Sequence, residues 1–242
     1  MRRNLVLIGS ALIALIATPA FAAVINWGNP TTISGDSNVS TDGALFAAYH
    51  MNGGDVTVNG VLFIGVPVTS GATVMTFGPF SFTESPGHFI ALTGLGSNSA
   101  PFSNLSANYQ TLLSTAISTD ENNTLTLTMT GLSIGQQYEF EWWLNASSAT
   151  STTGLLTTAT ATNSVTLDDN TTNTVGGVGQ FAIGTFTADA TSQVIAFSGI
   201  NSSNSPTVNA FQFRAIPEPS TMSILLLGGV AIRGARFLRR KK

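Results

Sequence analysis

Apolar and polar residues alternate with a period of two through most of the middle of the chain. In Thr124–Thr130, threonines share one face and three apolar residues share the other: Leu125, Leu127 and Met129. The same alternation recurs at 55–66, 73–82, 138–145, 181–188, 192–199 and 209–216. Alternation of this kind is typical of strands with one buried face, and clusters of Gly, Asn and Pro between the segments predict turns. The pattern therefore predicts an all-β fold, an antiparallel β-sandwich or a closed barrel.

One segment follows a helical period instead. Between residues 104 and 116, five apolar residues fall on one face at helical spacing: Leu105, Tyr109, Leu112, Leu113 and Ala116. Asn104 or Ser106 is placed to cap this helix, which we expect to close one end of the sandwich. The stretch from 145 to 164 is rich in Ser, Thr and Ala, and we expect a loop there with room for one weak strand.

The charges are segregated along the 242 residues, which the net charge of −3 conceals. Between residues 23 and 216 there are eleven acidic residues and a single basic one, Arg214, so this region carries a net charge of −10. A surface this acidic repels phosphate backbones, and we expect no nucleic-acid partner. The chain contains no cysteine, which excludes disulfides, thiolate metal sites and cysteine nucleophiles.

The N-terminus has the three parts of a secretory signal peptide. Two arginines precede an apolar run from residue 5 to residue 17, and Ala20-Phe21-Ala22 gives the small-x-small pattern that signal peptidase recognises. We therefore predict a signal peptide over residues 1–22, with cleavage between Ala22 and Ala23. The alternative is a membrane anchor, but the apolar run is short for a span of about 20 residues.

The C-terminus reads Pro217-Glu218-Pro219, then a short apolar run from 222 to 232, then six basic residues. Proline cannot lie inside a helix, so the helix begins after Pro219. Counted from Pro219 to residue 238, the stretch is long enough for a short transmembrane helix. The positive-inside rule keeps its basic end in the cytoplasm and the body outside.

This arrangement resembles the PEP-CTERM sorting tail of Gram-negative bacteria, over about 27 residues from 216 to 242. The resemblance implies Pro217, Glu218 and Pro219 as the sorting motif and an exosortase as the partner that processes the tail. It also implies transient tethering to the inner membrane, then release or transfer to the cell surface or extracellular space, where such proteins accompany exopolysaccharide. The early Arg233 departs from the pattern because it shortens the apolar core. An ordinary C-terminal anchor is the alternative.

The body, residues 23–215, resembles one that recurs in exported PEP-CTERM proteins. The segments that carry this likeness are INWGNPTTISGDSNVSTDG, VNGVLF, LTMTGLSIGQQYEFEWWLN and GQFAIGTFTADATSQVIAFSG with NAFQFR. The resemblance implies a jelly-roll sandwich, similar to galactose-binding-like and carbohydrate-binding modules. Fold alone does not fix function.

Three motifs offer weak candidate chemistry. Residues 131–135 match G-x-S-x-G, but a strand pattern follows where a nucleophile elbow needs a helix, so we interpret them as a hairpin turn. His50 and His88 have no partner at metal-ligand spacing, and we expect both at the surface or in turns. Asp168 and Asp169, near Asn170 and Asn173, are hard oxygen ligands suited to a structural calcium, with a polar turn as the alternative; we expect no other cofactor.

The strand pattern at 138–145 carries the strongest binding hypothesis. Alternation places Glu139, Glu141, Trp143 and Asn145 on one face, opposite a core face of Tyr138, Phe140, Trp142 and Leu144. An aromatic ring among carboxylates and an amide suits sugar recognition, and Arg214 would neutralise a glutamate if the last strand lies alongside. The alternatives are a loop that covers Trp143, and a glycosidase that uses Glu139 and Glu141, which lie roughly 7 Å apart on one strand.

The sequence leads to three functional hypotheses. The first is an exported, non-enzymatic protein of the cell surface or extracellular matrix, associated with exopolysaccharide. The second is a carbohydrate-binding module that uses the face containing Trp143. The third, which the sequence favours least, is a secreted glycoside hydrolase.

Overall fold

The computed structural model describes residues 23–84, 87–148, 155–200 and 205–217, which fold mainly into β-sheets. The described ranges contain three sheets and one α-helix, which confirms the all-β class that the alternation predicts. No helix in these ranges has the length and apolar character that a membrane span requires. The predicted signal peptide and the predicted C-terminal transmembrane helix lie outside the described residues.

The strands are numbered in chain order. They are β1 Asn26–Trp27, β2 Thr31–Thr32, β3 Ala44–Met51, β4 Val56–Val58, β5 Val61–Val66, β6 Val74–Phe77, β7 Phe80–Glu84, β8 Ile90–Leu92, β9 Ala116–Ser118, β10 Thr124–Thr130, β11 Gln137–Leu144, β12 Leu156–Ala161, β13 Asn163–Asp168, β14 Gln180–Thr187, β15 Ser192–Gly199, β16 Thr207–Val208 and β17 Ala210–Ile216. The helix α1 is Ala107–Leu113, and short 3-10 helices occupy Asp36–Asn38 and Phe102–Asn104.

The largest sheet, called the large sheet below, has eight strands. They run in the order β1, β14, β11, β17, β3, β5, β4, and β2 also pairs with β14. A six-stranded sheet has the order β13, β12, β15, β10, β7, β6, and a three-stranded sheet has the order β16, β9, β8. Neighbouring strands are antiparallel except β3 and β5, which pair in parallel. The antiparallel prediction therefore holds with one exception.

The large sheet and the six-stranded sheet face each other across one apolar layer, the central core. Trp142 of the large sheet contacts Phe197 of the six-stranded sheet with ring centroids 5.0 Å apart, and Phe80 contacts Phe211 at 5.4 Å. The apolar face predicted on β10 lies fully buried in this layer: Leu125, Leu127 and Met129. Alternation along each strand thus supplies one core face, as period two requires.

A second apolar cluster, the outer core, covers the opposite face of the large sheet. Helix α1 belongs to it through three buried side chains: Tyr109, Leu112 and Leu113. Ser106 caps the helix, since its hydroxyl accepts a hydrogen bond from the Tyr109 N–H at 3.2 Å. The helix was expected at one end of the sandwich. It lies instead beside β4, where the Asn108 amide donates to the Thr57 carbonyl at 2.8 Å.

Residues 131–135 connect the two main sheets. β10 pairs with β7 and β15, whereas β11 pairs with β14 and β17, so the hairpin interpretation of these residues is wrong. The turn is stabilised from outside itself: the Ser133 N–H donates to the Tyr138 hydroxyl at 2.9 Å, and the Gly135 N–H donates to the Ala188 carbonyl at 2.8 Å. A strand follows the serine, and the helix that a nucleophile elbow needs is not formed there.

Candidate functional site

The large sheet brings the predicted site residues of β11 beside those of the last strand. β17 pairs with β11 so that Arg214 lies opposite Glu139 and Gln212 lies opposite Glu141. The adjacency that the Arg214 hypothesis required is therefore present. These side chains point to the outer face of the large sheet. Whether they can bind a ligand depends on what covers that face.

Trp143 lies fully buried in the outer core. Its indole N–H donates to the Tyr109 hydroxyl of α1 at 2.8 Å, and its ring packs edge-on against Phe63 of β5, with centroids 5.5 Å apart. A sugar can stack only on an exposed ring face. Trp143 has no exposed ring face, because α1 and β5 cover it. This corrects the glycan platform predicted at Trp143. The alternative expected a loop over the ring, whereas a helix and a strand cover it.

Asn145 is also fully buried, and its side chain joins three segments. Its Oδ1 accepts from the Gly179 N–H and from the Ser147 hydroxyl, each at 3.0 Å, and its amide donates to the Leu113 carbonyl at 3.4 Å. The side chain therefore fastens the end of β11 to the end of α1 and to the chain entering β14. It is engaged within the protein and not available to a ligand.

Glu141 is fully buried beneath residues 36–43, called the covering segment below. One carboxylate oxygen, Oε2, accepts from the Ser40 N–H at 3.0 Å and from the Gln212 amide. The other, Oε1, has no hydrogen-bond partner among the described residues. Burial raises the pKa of Glu141 from 4.5 to about 8, against the lowering effect of its bonds to Ser40 and Gln212. The carboxyl is therefore an internal tie, and its burial favours the protonated form.

Glu139 and Arg214 complete this polar layer. Burial raises the pKa of Glu139, while a hydrogen bond from the Ser40 side chain and the charge of Arg214 lower it. Arg214 directs its N–H groups to neutral acceptors: the Asp42 carbonyl at 2.6 Å, the Gly43 carbonyl at 3.1 Å and the Gln212 side chain at 3.1 Å. The positive charge of Arg214 thus lowers the pKa values of Glu139 and Glu141, and its hydrogen bonds fasten the covering segment to the sheet.

The prediction that both histidines lie at the surface or in turns holds for one of them and fails for the other. His88 lies at the surface as expected, with its Nδ1 3.3 Å from Asp120 Oδ2. The prediction for His50 is wrong: it is fully buried on β3, where Nε2 contacts the Gly54 carbonyl and burial lowers its pKa. Among the described residues, no group of three or more His, Cys, Asp or Glu is close enough to hold a metal ion.

The calcium candidates lie in a turn held by its own hydrogen bonds. Asp168 Oδ1 accepts from the Asn170 N–H at 2.9 Å, and Asp169 Oδ1 accepts from the Leu155 N–H at 3.1 Å. Asn170 donates to the Ala146 and Thr174 carbonyls at 3.2 and 2.9 Å. Burial raises the pKa of Asp169 to about 7. These contacts fit the polar-turn alternative.

A groove that the sequence reasoning missed lies between β1 and the turn from β12 to β13. It has a volume of about 500 Å³ and is lined by Asn26, Trp27, Thr162, Asn163 and Ser164. Trp27 is half-buried, and the other four are exposed. This groove is called the Trp27 groove below. Its two walls come from distant parts of the chain, since Trp27 and Asn163 are 136 positions apart. The available sequence signal was a tryptophan isolated in a segment rich in Asn, Gly and Thr.

No protein-family model matches the chain, and no curated protein does. Two solved structures show a remote likeness. One is the ANXUR2 extracellular domain from Arabidopsis thaliana, with 11% identity and a TM-score of 0.35, over 72% of this chain and 49% of that one. The other concerns the promiscuous specificity of carbohydrate-binding modules from the beta-sandwich superfamily, with 11% identity and a TM-score of 0.17, over 76% and 97%. The chain spans about half the length of the first, and similarity this low carries no argument about function.

The predicted processing sites fall mostly outside the described residues. Ala20, Ala22, Glu218 and Pro219 are not described. Ala23 is buried and its carbonyl accepts from the Gln193 side chain at 3.1 Å, while Pro217 is exposed directly after β17. The signal cleavage site and the sorting motif therefore stay predictions.

Proposed function

We propose that this chain is an exported, non-enzymatic protein of the cell surface or extracellular matrix that associates with exopolysaccharide. Its body is an antiparallel sandwich of the jelly-roll, galactose-binding-like type. A signal peptide exports it, and a PEP-CTERM tail holds it at the inner membrane until an exosortase processes it.

The non-enzymatic proposal rests on one observation: the carboxylates of Glu139 and Glu141 are enclosed within the protein. A retaining or inverting glycosidase needs two carboxyl groups that flank an accessible glycosidic bond. Glu141 is fully buried and Glu139 is 6% exposed, and both are bonded to Ser40 of the covering segment. The pair that a hydrolase would use thus serves to hold the body together.

The first test is the intact mass of the protein recovered from the medium and from the envelope of the native cell. A mass that begins at Ala23 and ends near Pro217, in the medium or linked to glycan, is the expected result. A mass that extends to Lys242, found only in the inner membrane, would overturn the sorting proposal and leave an ordinary anchor.

The second test is co-sedimentation with exopolysaccharide purified from the same cells, with release of reducing ends measured in parallel. We expect retention without turnover. Turnover that disappears in Glu139→Gln or Glu141→Gln, with folding unchanged, would make the protein a hydrolase. If the protein does not co-sediment with the exopolysaccharide, the proposed association is wrong.

A further inference from the structure

The Trp27 groove lies where an edge of the large sheet meets an edge of the six-stranded sheet. β1 supplies Asn26 and Trp27, and the turn and start of β13 supply the opposite wall. The Trp27 indole N–H donates to the Asn163 carbonyl at 3.2 Å, which ties the two sheets together at the groove. The groove is therefore a product of the tertiary structure and has a fixed width at this point.

The Trp27 ring is anchored by neighbouring strands, and it lines the groove with the part that stays exposed. It packs over Gly184 of β14, where a Cβ atom would come within 2.6 Å of ring atom Cε3. It also meets Phe140 of the central core edge-on, with centroids 6.2 Å apart. Of the three tryptophans in the chain, the other two are fully buried. Trp27 thus offers a rigid, partly exposed aromatic surface, which needs little ordering on binding.

The remaining groove residues bear only neutral hydrogen-bonding groups. Asn26 and Asn163 carry amides, and Thr162 and Ser164 carry hydroxyls. Amides and hydroxyls both donate and accept hydrogen bonds. No lining residue is charged, so nothing in the groove would neutralise an anionic ligand, and the acidic excess of residues 23–216 disfavours one.

We propose that the Trp27 groove binds a neutral glycan. The exposed part of the Trp27 ring packs on the apolar face of a pyranose, and the amides and hydroxyls of the two walls exchange hydrogen bonds with the sugar hydroxyls. The inference rests on the proposed association with exopolysaccharide and names the site and the class of glycan. It assigns the aromatic role to Trp27 in place of the buried Trp143.

The test uses the fluorescence of Trp27 in the full-length protein. Because Trp142 and Trp143 are fully buried, acrylamide quenching reports mainly on Trp27. Neutral gluco-, manno- and galacto-oligosaccharides and a polyuronate of matched length are titrated. We expect at least one neutral oligosaccharide to protect Trp27 from acrylamide saturably, and the polyuronate to bind at least tenfold more weakly.

Two variants locate the site. Trp27→Ala removes the ring, and Ser164→Arg obstructs the groove from an exposed strand position without entering the core. Both are expected to weaken binding of the neutral glycan at least tenfold by co-sedimentation. Asn98→Ala, an exposed amide outside the groove, is the matched control and should bind like the parent. Circular dichroism checks that each variant is folded.

The outcomes separate the two proposals. Retention of exopolysaccharide by the parent and equally by folded Ser164→Arg and Trp27→Ala would overturn the groove and leave the proposed function standing. Equal or tighter binding of the polyuronate would overturn the neutral class. If the parent retains neither exopolysaccharide nor any oligosaccharide, both proposals fail.

Discussion

Replacing the buried Glu141 by glutamine should remove much of the protein's pH dependence of stability. Glutamine has nearly the shape of protonated glutamic acid, and its side-chain oxygen can accept the same bonds from Ser40 and Gln212. The exchange thus keeps the tie between the covering segment and the large sheet while it removes the ionisation. We expect Glu141→Gln to fold as the parent does.

The magnitude follows from the pKa of Glu141, which burial raises from 4.5 to about 8. Between these two pH values the folded protein holds a proton that the unfolded chain releases, so the free energy of unfolding falls as pH rises. The slope is at most about 1.4 kcal/mol per pH unit, and the whole interval is worth at most about 5 kcal/mol. The stability that protonation of Glu141 supplies is fully present below pH 4.5 and is lost as pH rises through 8.

The assay is urea unfolding of the parent and of Glu141→Gln at pH 5, 6, 7 and 8. The two proteins should be similar at pH 5, and the variant should be more stable by several kcal/mol at pH 8. Asp169, whose pKa burial also raises, adds a similar slope to both proteins, and that slope cancels in the difference. Glu139 interacts with the charge of Glu141, so the measured difference includes this coupling. Glu121→Gln, at an exposed position, is the control.

Parallel stability curves for the parent and Glu141→Gln would refute the reasoning, because they would show that Glu141 releases its proton in the folded protein as readily as in the unfolded chain. A variant that is less stable at every pH would show that glutamine does not replace the tie to Ser40.

Three further predictions test the packing. Trp143→Phe loses the hydrogen bond to Tyr109, and urea unfolding should show a loss of about 1 to 3 kcal/mol, with exopolysaccharide co-sedimentation unchanged. Gly184→Ala places a Cβ 2.5 Å from the buried Ile25 side chain and 2.6 Å from the Trp27 ring, and should cost about 1 to 3 kcal/mol; increased acrylamide quenching would show that the Trp27 ring is displaced as well as Ile25. Thr162 has a φ of +65°, so Thr162→Gly should raise the free energy of unfolding by about 1 kcal/mol; an unchanged value would mean that this turn is unstrained.

Local patterns predicted the elements well because they depend on near neighbours in the chain. The alternation in Thr124–Thr130 identifies β10 and its buried face, and the helical spacing around Tyr109 locates α1, with Ser106 as its cap. The helix is shorter than the pattern because Leu105 caps the 3-10 helix Phe102–Asn104 and Ala116 begins β9.

The candidate site was predicted only in part. Alternation correctly grouped Glu139, Glu141 and Trp143 on one face, but it placed that face at the surface. That the last strand brings Arg214 opposite Glu139 was only a condition of the hypothesis, and the tertiary structure decided it. The uninterrupted apolar run Trp142–Trp143–Leu144 was a signal that β11 is buried on both faces. No comparable pattern indicated the burial of His50, because the residues that contact it follow it across a turn.

The sequence by itself determined which residues share a strand face, that a helix lies between residues 104 and 116, and that one acidic, cysteine-free body lies between two basic ends. Only the tertiary structure decided that the face of Glu141 and Trp143 is internal, that residues 131–135 link two sheets, and that Trp27 meets Asn163 to form a groove. The physical reason is that periodicity records which side chains point the same way. What covers them depends on contacts between segments far apart in the chain.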